Sequence, residues 1–307
     1  MSQKTLTPLF KKIFLTLFAL PLCVSAQDAG RAGLAFLKIG AGSRAAAMGE
    51  AQVALANDAH AIYWNPAGLA LARDAQLAVT HLEWLENINH NFAAVTFRGF
   101  GGTLGLAITT QTIPGIELRD KPTAEPLGTF DARDVALALA YGKKWNENLA
   151  VGLTLKALYE KIYLNSANGV AVDLGVNWQS PISKLRIGLA AQNLGSMSAL
   201  IDEKIKLPSA VRFGGAYQLF KSENGNGATL VADQITYLEG GSYASAGAEW
   251  SLRGALALRA GYQFGRENRG LAAGLGASLG KYQLDYGFAS FQNDLGQTQS
   301  FSIAVEL

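Results

Sequence analysis

Gly40 to Leu71 reads GAGSRAAAMGEAQVALANDAHAIYWNPAGLAL, and its composition decides how the rest of the chain is read. Ala45 to Ala56 is almost entirely alanine and other compact residues, which predicts a slender helix able to pack where a bulkier one would not fit. Asn57 and Asp58 suit a turn. In Asn65-Pro66-Ala67-Gly68 the asparagine oxygen is placed to cap a helix, and proline supplies the fixed φ and missing N–H that a first helical position tolerates. A second, very short helix is expected to follow. The whole stretch therefore reads as a small-residue plug, although Asn-Pro-Ala-Gly taken alone is also what an ordinary capped turn requires.

From Gln76 to the last residue the pattern changes to period two. Phe301, Ile303, Val305 and Leu307 alternate with Ser300, Ser302, Ala304 and Glu306, and Tyr282, Leu284, Tyr286 and Phe288 alternate with Gln283, Asp285, Gly287 and Ala289. Such segments number about fourteen, each with an oily face and a wet face. A soluble sandwich alternates too, so the wet face has to decide. Here it is rich in Gly, Ala and Ser, as at Gly274, Gly276, Ser278 and Gly280, and charged residues make up only 16% of the chain against about a quarter in ordinary soluble domains. A surface so poor in charge is suited to a crowded lumen, with the oily faces turned to lipid. The fold class expected is therefore all-β: a transmembrane antiparallel β-barrel of about fourteen strands with an N-terminal hatch of short helices inside the lumen.

The connectors support this. Those at Gly99–Gly101, Trp145–Asn148, Leu252–Gly254 and Gly280–Lys281 are short, whereas Ile113–Asp131 and Leu194–Leu207 are long, an asymmetry expected between the periplasmic and outer sides of a bacterial barrel. Trp145, Trp178 and Trp250 at one set of strand ends, and Tyr163, Tyr237 and Phe264 at the other, are candidates for interfacial aromatic belts. After Gln27 no uncharged apolar run approaches the ~18 residues of a spanning helix.

Lys4, Lys11 and Lys12, the apolar run Ile13–Leu22 and the small residues Val24-Ser25-Ala26 describe a secretory signal peptide over residues 1–26, followed by a hatch over 27–74 and a barrel over 75–307. A lipoprotein signal at Cys23 is the weaker alternative, because bulky Leu22 precedes it. Removing the signal takes Lys+Arg from 26 to 23 against 24 Asp+Glu, a formal charge of −1, and discards the single cysteine. Disulfide chemistry and nucleic-acid binding, which needs clustered Lys and Arg, are both disfavoured. His60, His81 and His90 lack metal-motif spacing. There is no Gly-x-Ser-x-Gly element, and Gly99-Phe100-Gly101-Gly102 is not followed by the Lys-Ser/Thr of a phosphate loop. No enzymatic activity, metal or cofactor is expected.

Phe36-Leu37-Lys38-Ile39-Gly40, Ser43-Arg44-Ala45, Met48-Gly49-Glu50-Ala51 and Tyr63-Trp64-Asn65-Pro66-Ala67-Gly68-Leu69 together resemble the start of the PorV/PorQ family, which in turn is similar to FadL-type outer-membrane barrels. The resemblance implies a hatch carrying an Asn-Pro-Ala signature (Asn65, Pro66, Ala67, Gly68) inside the barrel, with both chain termini periplasmic in the outer membrane of a Gram-negative-type bacterium. It also implies one of two roles. In the first, the barrel belongs to type IX secretion and docks exported proteins through their C-terminal signal domains, using Ile113–Asp131 and Leu194–Leu207. In the second, it is a FadL-like channel for hydrophobic small molecules, with Ile62, Tyr63, Trp64 and Leu69 as candidate ligand contacts or merely the seat of the hatch. Inward-facing charges at Lys156, Asp173, Arg186, Arg212, Glu249, Arg259 and Asp285 are expected to pair with one another or with Arg44 and Glu50 of the hatch.

Overall fold

A computed structural model describes residues 32–72, 75–122, 124–266 and 268–307; the expected signal peptide, its cleavage site and Cys23 lie outside them. Fourteen antiparallel strands, β1 (Gln76–Glu83) through β14 (Gln297–Glu306), follow one another in chain order, and β1 pairs with β14 to close the cylinder. Closure satisfies the edge groups that an open sheet would leave bare in lipid. Alternation fixes the faces: on β1, Leu77 and Val79 are 42% and 47% exposed while Ala78 and Thr80 between them are buried. The outer wall is an apolar belt in which Leu106, Leu137, Leu174, Leu258 and Ile303 are exposed, an arrangement favourable against acyl chains and not against water. Among the described residues no helix is long and apolar enough to cross a membrane.

One rim holds the start of β1 and the end of β14 (the terminal rim); the other is called distal. The long connectors of the sequence reading shrink, because strands run into them. β3 (Gly102–Leu118) and β4 (Gly128–Lys144) leave only residues 119–127 as a connector, and β7 (Leu185–Met197) and β8 (Ala210–Lys221) leave 198–209. The ladder between β3 and β4 crosses Pro114-Gly115 by a register shift between Ile113 and Ile116. A bulge there accommodates a proline that has no N–H to give. At the terminal rim the connectors are short throughout, such as residues 100–101 and 280–281.

Residues 33–72 occupy the space the cylinder encloses, touching strands around its whole inner circumference: His60 meets Thr80 of β1, Asn65 meets Val176 of β6 (Asn165–Gln179), Gln52 meets Asp233 of β9 (Gly227–Tyr237), and Ser43 meets Ser302 of β14. The expected helix over Ala45–Ala56 is not formed. One α-helical turn at Ser43–Ala47 ends at Gly49 and Glu50, whose φ values are 65° and 68°, and turns follow. Tertiary demand overrides alanine propensity: the Gln52 and Val53 amides donate to the Asp233 carboxylate at 2.6 and 2.8 Å, bonds that a continuous helix would have closed on itself. The Ala61–Trp64 turn and the 3₁₀ turn Pro66–Leu71 complete the segment.

Candidate functional site within the barrel

The Asn-Pro-Ala turn is built and seated by two devices. Asn65 is fully buried; its Oδ1 accepts from the Ala67 amide at 3.1 Å, capping the 3₁₀ turn, and its Nδ2 donates to the Val53 carbonyl at 2.7 Å and to the Val176 carbonyl of β6 at 3.1 Å. One side chain thus joins the turn, the preceding loop and the wall. Beneath it runs a ladder of glycines: Gly142 of β4 stands opposite Gly152 of β5 (Leu149–Ile162), and Gly152 opposite Gly175 of β6. A Cβ at Gly142 would lie 2.6 Å from the Pro66 carbonyl oxygen, and one at Gly152 or Gly175 would overlap the Pro66 carbonyl carbon or Asn65 Oδ1. Backbone rests on backbone here, so any side chain on the wall lifts the turn off its seat.

Aromatic residues brace the same turn on the distal side. Trp64 Nε1 donates to the Ala41 carbonyl at 2.7 Å, and Tyr63 Oη to the Leu37 carbonyl at 2.9 Å. Gln192 of β7 donates Nε2 to the Tyr63 carbonyl at 2.6 Å and accepts from Arg212 Nε of β8 at 2.6 Å, while the Arg212 guanidinium lies 4.9 Å over the Trp64 ring.

Toward the terminal rim the contacts are ionic. Arg44 forks onto Glu249 of β10 (Ser242–Leu252) at 2.8 and 2.7 Å; Glu249 also takes Arg259 of β11 (Leu256–Phe264) at 2.7 Å, and Arg259 reaches Asp285 of β13 (Tyr282–Phe291) at 2.6 Å. This alternating chain of four charges borders a cavity of about 270 Å³ open toward the terminal rim. At the β1–β14 closure, Ser43 Oγ lies 2.6 Å from Ser300 Oγ and 2.8 Å from Ser302 Oγ, which is itself 2.8 Å from Thr80 Oγ1. His60 Nε2 is 3.0 Å from the same threonine, and its Nδ1 is 3.4 Å from Asp58 Oδ1. Burial opposes charge on both partners, but each outweighs it for the other: Asp58 is held down to about 2 and His60 is raised above its ordinary value.

Residues 25–231 match the model of a family described as type IX secretion system protein PorV. The chain belongs to the PorV family. A UPF0164 protein of Treponema pallidum (strain Nichols) is 27% identical over 178 residues, 54% of this PorV-family chain, which spans less than half (44%) of that relative's length. Among solved structures, the Ralstonia pickettii toluene transporter TbuX superposes with a TM-score of 0.62 at 14% identity, covering 87% of this chain and 98% of that one. The Pseudomonas putida toluene transporter TodX gives 0.60 at 13%, covering 86% and 96%. At such identities these likenesses show the fold, a FadL-type barrel. Family and fold are those of outer-membrane transport and secretion proteins rather than of enzymes.

In the PorV-family chain the sequence-selected residues fall into separate groups. Arg44, Arg259 and Asp285 share the terminal charge chain through Glu249. Glu50 stands apart, 3.4 Å from Arg269 of β12 (Arg269–Leu279); burial opposes its ionisation, and Arg269, Arg266 and Arg212 outweigh it, lowering its pKa. Arg212 meets no carboxylate among the described residues. Lys156 pairs with Asp173 at 2.6 Å, wall to wall. Ile62, Tyr63, Trp64 and Leu69 are all buried; Ile62 and Tyr63 border a cavity of about 10 Å³ with Phe36, Leu37 and Phe92, whereas Leu69 packs on Gly142.

Tyr237 corrects the sequence reading. It is not an interfacial belt residue: its ring is 6.3 Å from that of Tyr243, Lys38 Nζ lies 4.9 Å above it, and its hydroxyl is buried. Asp233, Ile235 and Tyr237 share one parity on β9, and that parity faces the lumen; the aspartate was the signal that could have placed it. Trp178 of β6 and Trp250 of β10 do stand exposed, and Trp145 is exposed in the connector after β4. Asp233, Gln192, Arg266 and Arg269 were not singled out beforehand, because a lone polar residue in an alternating strand looks the same whether it touches the segment or another wall residue.

Proposed function

We propose that this chain is an outer-membrane docking barrel of type IX secretion, its terminal rim periplasmic and its distal rim outside, and that residues 27–74 act as a hatch. The observation that carries the reading is the filled lumen of a PorV-family barrel. Backbone sits on backbone at the glycine ladder, two cavities between segment and wall hold only about 20 Å³ and 10 Å³, room for a water or so, and the larger space of about 270 Å³ opens toward the terminal rim. A barrel so occupied serves better as a platform than as a conduit for polypeptide. Exported proteins would dock through their C-terminal signal domains on the distal rim, at residues 119–127 and 198–209 and the extended hairpin beneath the first of these. The charge chain through Arg44 and the contact of Glu50 with Arg269 would hold the hatch.

A second reading has its own support. The toluene transporters and the monoaromatic hydrocarbon channel CymD share this fold, and the small apolar cavity beside Phe36, Leu37, Ile62, Tyr63 and Phe92 would widen into a ligand site if the hatch moved. Mass spectrometry of what stays attached after mild extraction separates the two. A secreted protein's C-terminal domain on the barrel supports docking; an apolar small molecule in the lumen supports transport; a bare barrel under conditions where its cargo is exported refutes the first.

A further inference from the structure

Beneath the distal rim three cations have no carboxylate partner among the described residues. Arg212 is 2% exposed; its Nε donates to Gln192 and its face covers Trp64, but neither terminal nitrogen donates to an acceptor among the described residues. The Arg266 guanidinium lies 4.7 Å over the Tyr243 ring, its single hydrogen bond among the described residues going to Gln263 Oε1 at 3.3 Å, and Lys38 Nζ caps the Tyr237 ring. The Tyr237 and Tyr243 hydroxyls are buried and have no hydrogen-bond partner among the described residues. The nearby carboxylate of Glu50 touches Arg269 through one oxygen at 3.4 Å and its charge also acts on Arg266 and Arg212, so a single carboxylate is shared among more cations than it can neutralise.

The sheet register makes this a built cluster. Arg212 stands opposite Ile235, and Ile235 opposite Tyr243, while Ala210 stands opposite Tyr237. The residues therefore occupy neighbouring inward rows of β8, β9 and β10, with Lys38 and Arg266 brought over them by the luminal segment and the β11–β12 connector. Buried cations that outnumber their counter-charge are costly, and a buried phenol normally finds a partner. Both deficits ask for the same thing, a negatively charged group with several acceptor oxygens. A single carboxylate would answer one cation; three cations and two hydroxyl donors fit a phosphate, whose oxygens accept the planar fork of arginine.

We propose that Lys38, Arg212, Arg266, Tyr237 and Tyr243 form a binding site for a phosphate group, supplied either free or as the head group of a phosphorylated amphiphile. The site is independent of which cargo the barrel serves.

The full chain, purified in an uncharged detergent, is titrated by calorimetry with inorganic phosphate and with dodecyl phosphate at constant ionic strength, chloride and acetate serving as controls. Binding of both phosphates, tighter for dodecyl phosphate, is expected if the source is an amphiphile; equal binding of the two points to free phosphate. Arg266→Gln should weaken either by roughly tenfold, the loss of one charge-assisted contact. Arg212→Gln risks the fold, so the deciding variant is Tyr237→Phe with Tyr243→Phe. Because these hydroxyls have no partner among the described residues, the double variant should keep the wild-type thermal midpoint without phosphate yet bind phosphate several-fold more weakly. Phosphate and dodecyl phosphate binding no tighter than chloride overturns the proposal, as does a double variant that binds like wild type.

Discussion

Asn65 uses its amide completely, two donors and one acceptor, and only an amide of that size can do so. Asn65→Asp replaces both donors with acceptors aimed at the Val53 and Val176 carbonyls, so it should destabilise more than Asn65→Ala, which itself should cost on the order of 2 kcal/mol for the buried carbonyls left unpaired. Thermal unfolding in detergent, followed by loss of β circular dichroism, ranks the two. Gly152→Ala should cost about 1–3 kcal/mol as an overpacked contact, whereas Gly128→Ala, whose Cβ meets open space, should leave the melting midpoint unchanged. Asn65 and its cap were legible in the sequence because capping is local. The glycine ladder was not: the wealth of small residues on inward faces could be read, but which glycine stands opposite which depends on strand register, and period-two patterning leaves register free in steps of two.

At the scale of the element, the luminal segment takes its shape from the wall. Alanine-rich composition argued for a helix over Ala45–Ala56; the Asp233 carboxylate and the approach of Gly49 to the β11 backbone ended it after one turn. Glu249→Gln removes the negative centre between Arg44 and Arg259 and should cost on the order of 3 kcal/mol, as when one partner of a buried ion pair is deleted; faster hydrogen exchange of residues 43–50 in the variant checks it. The Asp58–His60 pair makes stability depend on pH. With its folded pKa raised, His60 contributes fully below its unfolded value of about 6.5 and loses that contribution as pH rises through the folded value. Asp58, depressed to about 2, contributes fully above its unfolded value of about 3.9 and fails only as pH falls through about 2. The melting difference between wild type and Asp58→Asn should therefore be largest between about pH 4 and 6.5 and shrink above it. A difference that stays unchanged as pH is raised from about 5 to about 9 would remove the pair as a titrating element.

For the molecule as a whole, strand number, closure and the lipid-facing belt were all readable from alternation in chain order, since each strand pairs with its sequence neighbour. The exact strand ends were not, as β3 and β4 show by running through Pro114 to the distal hairpin. A closed barrel with this belt should stay folded only in detergent or lipid, and unheated samples should migrate faster on denaturing gels than boiled ones. Migration that boiling leaves unchanged, together with a detergent-free monomer, would contradict the membrane assignment. The junction of β1 with β14 has a further consequence. Ser43 bonds to the last strand, His60 to the first, and Ser302 to Thr80 across the join, so the interior chain is latched to both lips of the one place where the cylinder's two ends meet. Parting those lips to release something sideways into the bilayer would require unlatching Ser43 and His60 first, which makes sideways release and displacement of the stopper a single, obligatorily coupled event.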